Sequence, residues 1–185
     1  MIFITSDWHF GHDIEFIYKN RGFSSVEEMG ETLIEKHNSC ISQNDDVFVL
    51  GDLTLGDYNK GKSCIRRLNG KLHVILGNHD TRNRQIVYFS LSNVVEILHA
   101  KVIRYKRHEF YLSHYPSLTG NLHNDDLSKM IINLYGHTHQ RENNFFNDLP
   151  YMYHCGVDSH NMYPITLDSA LDEMYNKIEH CKTFL

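Results

Sequence analysis

Five short clusters of histidine, aspartate and asparagine punctuate the chain: Asp7 with His9, Asp52, Asn78-His79-Asp80, His114, and His137 with His139. Side chains two apart on an extended segment point to the same side, so a D-x-H or H-x-H pair can offer both donors to one ion. Nitrogen and oxygen donors without thiolate suit Mn, Fe, Zn or Ni rather than a cysteine-based structural zinc. Two such ions about 3.5–4 Å apart can clamp a phosphoryl group and acidify a water between them. Histidine is the compositional outlier, at 14 of 185 residues, and it is both the commonest metal ligand and the side chain suited to proton transfer near neutrality. Taken singly the clusters are weak, because aspartate or asparagine after glycine is ordinary turn chemistry. Their positions make them a set.

Each cluster follows a short apolar run. Residues 2–4 lead to Asp7, 47–50 to Gly51-Asp52, 73–76 to Gly77-Asn78-His79-Asp80, 110–112 to Ser113-His114, and 131–135 to Gly136-His137-Thr138-His139. Runs apolar throughout predict strands covered on both faces, and in open α/β sheets functional groups gather just past the carboxyl ends of strands. Between the early strands lie helical patterns. Ser25-Val26-Glu27-Glu28 reads as a capping box ahead of Met29, Leu33 and Ile34. A second helix includes 64–68 and stops at Asn69-Gly70. A third follows Asp80 through 85–89, and a last one starts near Leu167 with Leu171, Met174, Tyr175 and Ile178 on one stripe. From Val94 to Leu112 the pattern is strands joined by tight turns, the clearest at Arg107-His108-Glu109. Residues 116–129 and 140–150 read as polar surface loops near the site. No linker, repeat or low-complexity tract interrupts the 185 residues, which predicts one domain with two sheets.

The net charge of −5 and pI near 6.2 argue against a broad basic face for nucleic acid, so duplex DNA or RNA is not an expected partner. No apolar run approaches the ~18 residues of a membrane span. The N-terminus has no basic segment before its apolar stretch, as a signal peptide would, and the expected location is cytoplasmic. Cys40, Cys64, Cys155 and Cys181 form no C-x-x-C pair and read as reduced thiols.

The motifs D-W-H (7–9), G-D (51–52), G-N-H-D (77–80), S-H (113–114) and G-H-T-H (136–139), in that order, give a chain that resembles the calcineurin-like metallophosphoesterases from Asp7 to about Leu171. D-W-H-F-G-H (7–12) and G-V-D-x5-P-I-T-L-D (156–168) further resemble small bacterial and phage-borne members. The resemblance implies an α/β (α+β) fold, a four-layer αββα sandwich of two mixed β-sheets flanked by helices. It implies that Asp7, His9 and His139 hold one divalent ion and Asn78, His114 and His137 another, with Asp52 bridging both. Manganese is the first expectation, with Fe, Zn or Ni as alternatives, and a hydroxide between the ions would attack phosphorus. His79 matches the family's non-ligand histidine, which protonates the leaving oxygen, and Asp80 would orient it. Two ions offset by two carboxylates and a hydroxide leave a small positive charge, so the acidic chain is no obstacle to a phosphate substrate.

On the substrate side, His12 is a candidate phosphate contact. Arg82, Arg84 and Arg141 follow the metal motifs as further, weaker candidates, and Lys19 and Arg21, in a loop before the first helix, stand on the same footing. His37, His73, His99, His108, His123, His154, His160 and His180 match no ligand position and read as structural or surface residues. Cys155 stands where small members carry an aliphatic residue, and close to the metals it would make the protein sensitive to oxidation. The expected activity is hydrolysis of a phosphodiester or phosphomonoester, on a small phosphoester or nucleotide-type substrate. The rival readings are a catalytically silent scaffold of the same fold, whose relatives typically lose a ligand or the acid histidine, and a nuclease of the same superfamily. Oligomeric state has no signature, and loops 10–24, 115–130 and 140–155 carry no readable substrate code.

Overall fold

The computed structural model describes residues 1–119, 126–141 and 149–182. Four parallel strands, β1 (Ile2–Thr5), β2 (Asp46–Val49), β3 (Lys71–Ile75) and β4 (Val94–Leu98), form the first sheet. The second is built from β5 (Ala100–Tyr105), β6 (His108–Ser113), β7 (Ile131–Tyr135) and β8 (Met152–His154), in that order. A short β9 (Ile165–Thr166) returns antiparallel to β1, giving the first sheet the order β4-β3-β2-β1-β9. In the second sheet β5 and β6 are antiparallel while β6, β7 and β8 are parallel. Both sheets are therefore mixed, and helices flank them: α1 (Glu15–Tyr18), α2 (Val26–Cys40), α3 (Tyr58–Arg66), α4 (Arg82–Phe89) and α5 (Leu167–Lys182). This is the expected architecture.

Alternation along the strands explains the apolar runs. Phe3, Val47, Val49, Leu72 and Val74 join a core with Met29, Leu33 and Ile34 of α2 and Tyr88 of α4. Ile4, Phe48, Leu50 and Ile75 turn the other way, into a second core with Phe110, Leu112, Ile132 and Leu134 of the second sheet and Leu171 and Met174 of α5. With both faces of the first sheet covered, nothing along β1–β3 needs to be polar until the strand ends. The Ser25 hydroxyl accepts from the Glu28 amide at the start of α2, as a cap should.

Two readings of local structure are corrected. The hairpin turn falls at Lys106-Arg107, both left-handed at φ 46° and 68°, and His108 already opens β6. A two-residue turn with positive φ at both central positions favours asparagine, aspartate or glycine there, and neither lysine nor arginine advertises it. Residues 127–129 form a short 3-10 turn with Leu127 fully buried in the second core, so that stretch is not surface loop. The remainder of the two expected loops lies partly outside the described residues. No helix among the described residues is long and apolar enough to cross a membrane.

Candidate metal centre

β1, β2 and β3 of one sheet and β6 and β7 of the other deliver the five clusters to one end of the molecule. Immediately past the strands the backbone doubles back: Asp7, His9, Asp52, His137 and His139 all adopt positive φ, at 61°, 52°, 54°, 70° and 49°. Left-handed backbone is costly for residues with a Cβ and collects where function over-determines it. Here it covers five of the seven candidate ligands. The amides of Asp7 and His9 donate to the carbonyls of Gly51 and Asp52, each at 3.0 Å, locking the first two loops together. The glycines before the clusters have a steric reason: a Cβ on Gly77 would run into the Asp52 carboxylate, and one on Gly51 (φ 94°) into the His114 ring.

Two groups of donors converge. Asp7, His9 and His139 form one, with the Nε2 atoms of His9 and His139 only 3.1 Å apart and Asp7 Oδ1 at 4.0 and 3.9 Å from them. Asp7, Asp52 and His114 form the other, with Asp52 Oδ2 at 3.6 Å from His114 Nε2 and 3.9 Å from His9 Nε2. Asp52 thus borders both groups. Asn78 Oδ1 lies 2.9 Å from His114 Nε2. The His137 ring stands edge-on to that of His114, centroids 5.0 Å apart, and its backbone N–H donates to Asp7 Oδ2 at 2.9 Å.

These residues fit a cation. Asp7 is fully buried; its Oδ2 accepts from Ser6 Oγ (2.6 Å) and the His137 amide, while Oδ1, facing His9 and His139, accepts no hydrogen bond from the described residues. A buried carboxylate oxygen left so is expensive unless an ion completes it. Burial pushes the Asp7 carboxyl above its ordinary range and the His9 imidazole well below, so His9 is held in the neutral form that ligates. His114 pairs through Nδ1 with the Leu50 carbonyl at 2.8 Å, which turns the Nε2 lone pair toward the centre.

The non-ligand expectations divide. His79 lies at the cleft with a side chain 41% exposed, 3.9 Å from Asp52 Oδ2 and 5.6 Å ring to ring from His9. Asp80 needs correction: its carboxylate does not serve the His79 ring. Oδ2 accepts from the amides of Asp52 and Gly77, both at 2.8 Å, and Oδ1 from Tyr88 Oη (2.7 Å) and the Leu53 amide (3.3 Å). The turn points it inward, where unsatisfied backbone N–H groups claim it. His12 and Arg141 line a cleft of about 550 Å³ over the donors, with Phe16, Ile17 and Leu55, and Arg141 donates to the Asn20 carbonyl. Arg82 is exposed on α4 and is not among the cleft-lining residues. Arg84 is buried, donating to the His79 carbonyl at 3.1 Å and stacking on Tyr58. Lys19 pairs with Glu15 in the open.

Two further residues belong to the site: Asp158, which lies outside the five clusters, and Arg21, a weak candidate by sequence. Asp158 Oδ2 accepts from His139 Nδ1 at 2.9 Å, and Arg21 grips the same carboxylate from Nε and Nη2, each at 2.8 Å. The available signal was the G-V-D motif at 156–158. Cys155 is sealed in the second core, and burial raises its thiol well above the ordinary value, so it is no oxidation-prone neighbour of the centre. His37 and His73 have structural partners, the Asn69 carbonyl and the Asp46 and Glu96 carboxylates. His123 and the His180 side chain lie outside the described residues.

Known proteins resemble this chain in sequence and in fold. The family model described as the calcineurin-like phosphoesterase superfamily domain matches residues 1–152. An uncharacterized protein of Methanocaldococcus jannaschii is 33% identical over 172 residues, covering 90% of this chain and 87% of its own. The gene 66 protein of Mycobacterium phage L5 is 36% identical over 80 residues, 41% of this chain and 38% of its own. A protein of unknown function from Aquifex aeolicus shares the fold, with a TM-score of 0.70 at 22% identity over 94% of this chain and 98% of that one.

Proposed function

The chain belongs to the calcineurin-like phosphoesterase superfamily, and from that premise we propose that it is a metal-dependent phosphoric ester hydrolase whose substrate is a small phosphodiester of nucleotide type. The observation that carries this reading is the convergence of nitrogen and oxygen donors around Asp7 Oδ1, which accepts no hydrogen bond from the described residues, beside a cleft lined by His9, Asp52, Asn78, His137 and His139. Asp7, His9 and His139 would hold one divalent ion, Asn78, His114 and His137 the other, and Asp52 both. When bound, the ions, manganese first among Fe, Zn and Ni, supply charge for the phosphoryl oxygens and an acidified water.

The chain's own residues do the rest. His79, on the cleft side of Asp52 and half in solvent, delivers a proton from its ring to the leaving oxygen. Its backbone N–H donates to Asp52 Oδ1 at 2.9 Å, so the acid and the shared ligand move as one unit. His12 and Arg141 border the space for the phosphate oxygens. Phe16, Ile17 and Leu55 give that space an apolar side, which supports an organic substituent beyond the one that leaves, hence a diester. Arg141 favours the second reading, a monoester, whose dianion needs a permanent cation. A silent scaffold is disfavoured by the complete donor set and by His79. The acidic chain supports a small-molecule or single-stranded substrate over duplex nucleic acid.

The deciding measurement is kcat/KM for bis(p-nitrophenyl) phosphate against p-nitrophenyl phosphate with Mn²⁺ at matched pH. The diester is expected to be preferred. A tenfold preference for the monoester overturns the diesterase reading and makes Arg141 the next residue to mutate.

A further inference from the structure

We propose that Asp158 and Arg21 are positioning residues of the metal centre, Asp158 fixing the His139 ring with Nε2 toward Asp7 and His9, and Arg21 clamping Asp158 to the turn that carries those two ligands. The inference rests on the reading of that centre as a metal site. Asp158 lies beyond residues 1–152 matched by the family model, in a short 3-10 turn, Val157–Ser159, joined to the first loop by the Val157 amide on the Ser6 carbonyl at 3.2 Å. Its carboxylate is nearly buried and accepts three hydrogen bonds, two from Arg21 and one from His139 Nδ1.

Arg21 does more than neutralise it. Its side chain is 3% exposed, and besides the fork on Asp158 it donates from Nη2 to the Asp7 carbonyl at 2.7 Å and from Nη1 to the Trp8 carbonyl at 3.1 Å. One guanidinium thus ties the carboxylate behind His139 to the left-handed backbone of Asp7-Trp8-His9. A lysine could not span these acceptors, since it offers a point charge rather than a planar fork. A simple loop-closing ion pair would be complete with the Arg21–Asp158 fork. The third donor is the far nitrogen of a candidate ligand, the arrangement by which outer carboxylates fix the tautomer and direction of metal-binding histidines.

The test is calorimetric titration of Mn²⁺ into the full chain and its Asp158→Asn and Arg21→Lys variants, with long-range ¹H–¹⁵N NMR of the His139 ring in the metal-free protein at pH 9. The unsubstituted chain is expected to bind two ions and to hold His139 as the Nδ1–H tautomer. Asp158→Asn is expected to weaken one ion by about 10–100-fold, leave the other within about twofold, and abolish the tautomer preference. Arg21→Lys should weaken the same ion. Should Asp158→Asn leave the Arg21 charge buried and fail to fold, Asp158→Glu replaces it, with the charge kept and one ion still weakened. Folded Asp158 variants that bind both ions as tightly as the parent, or that lose both equally, overturn the proposal. If the parent chain binds no Mn²⁺, the metal reading itself falls, and the His139 tautomer still decides the Asp158 pairing.

Discussion

His79 and Asp80 are neighbours in sequence and serve opposite sides of the same turn. His79 faces the cleft, so His79→Asn should leave metal content unchanged and lower kcat on poor leaving groups by about 10²–10⁴-fold. The loss should be far smaller on p-nitrophenyl esters, whose leaving group barely needs a proton; equal losses on both would mean that the ring positions phosphate instead. Asp80 faces inward and holds the amides of Asp52, Leu53 and Gly77. In Asp80→Asn one oxygen becomes a donor facing donors, and each buried N–H left unpaired costs about 1–3 kcal/mol. Metal content should fall together with activity, because the Asp52 backbone loses its anchor. If the variant keeps both ions and fails only on poor leaving groups, Asp80 acts through His79 after all. The spacing of G-N-H-D displays the histidine and the acid but not the direction of the turn, and direction decided their roles.

At the level of elements, periodicity and strand ends made most of the scaffold legible, and register did not. The runs at 2–4, 47–50, 73–76, 110–112 and 131–135 all sit within or beside strands because their apolar residues must face two cores. What could not be read was that only His99 separates β4 from β5, where the chain leaves one sheet for the other. Asp158 was equally hidden: it lies on the 3-10 turn just past β8, and that three-residue strand makes no apolar run of its own to mark its end. α2 carries a pH dependence of its own. His37, in its last turn, is buried, pairs with the Asn69 carbonyl at 2.9 Å, and burial lowers its pKa to about 4 against 6.5 when unfolded. With the folded value depressed, the neutral ring costs nothing above pH 6.5. As pH falls from 6.5 toward 4 the unfolded chain takes up the proton first and stability drops, by roughly 3 kcal/mol in all. Urea unfolding at pH 7 and pH 5 should show about 2 kcal/mol of that loss, and His37→Gln should flatten it. An unchanged slope in the variant would assign the acid sensitivity to other buried histidines.

Over the whole molecule the candidate centre is a cross-link between sheets. Asp7, His9, Asp52 and Asn78 follow strands of the first sheet, and His114, His137 and His139 follow strands of the second. Without an ion, this end holds a buried carboxylate oxygen that accepts no hydrogen bond from the described residues, together with five left-handed residues, both unfavourable for the folded chain. An ion that meets these groups only in the folded state stabilises that state by mass action, about 2.7 kcal/mol at a hundredfold excess over its Kd. For a domain of this size that is a rise of about 5–10 °C in Tm. Mn²⁺ added to chelator-treated protein should therefore raise Tm by that amount, with a shift that grows with the logarithm of metal concentration. Asp7→Asn weakens the charge that the ion meets and should reduce the shift, whereas Arg82→Ala, on the exposed face of α4, should leave it intact. A Tm indifferent to chelator and to Mn²⁺ would mean that these donors settle among themselves, and the strained backbone around them would need another cause.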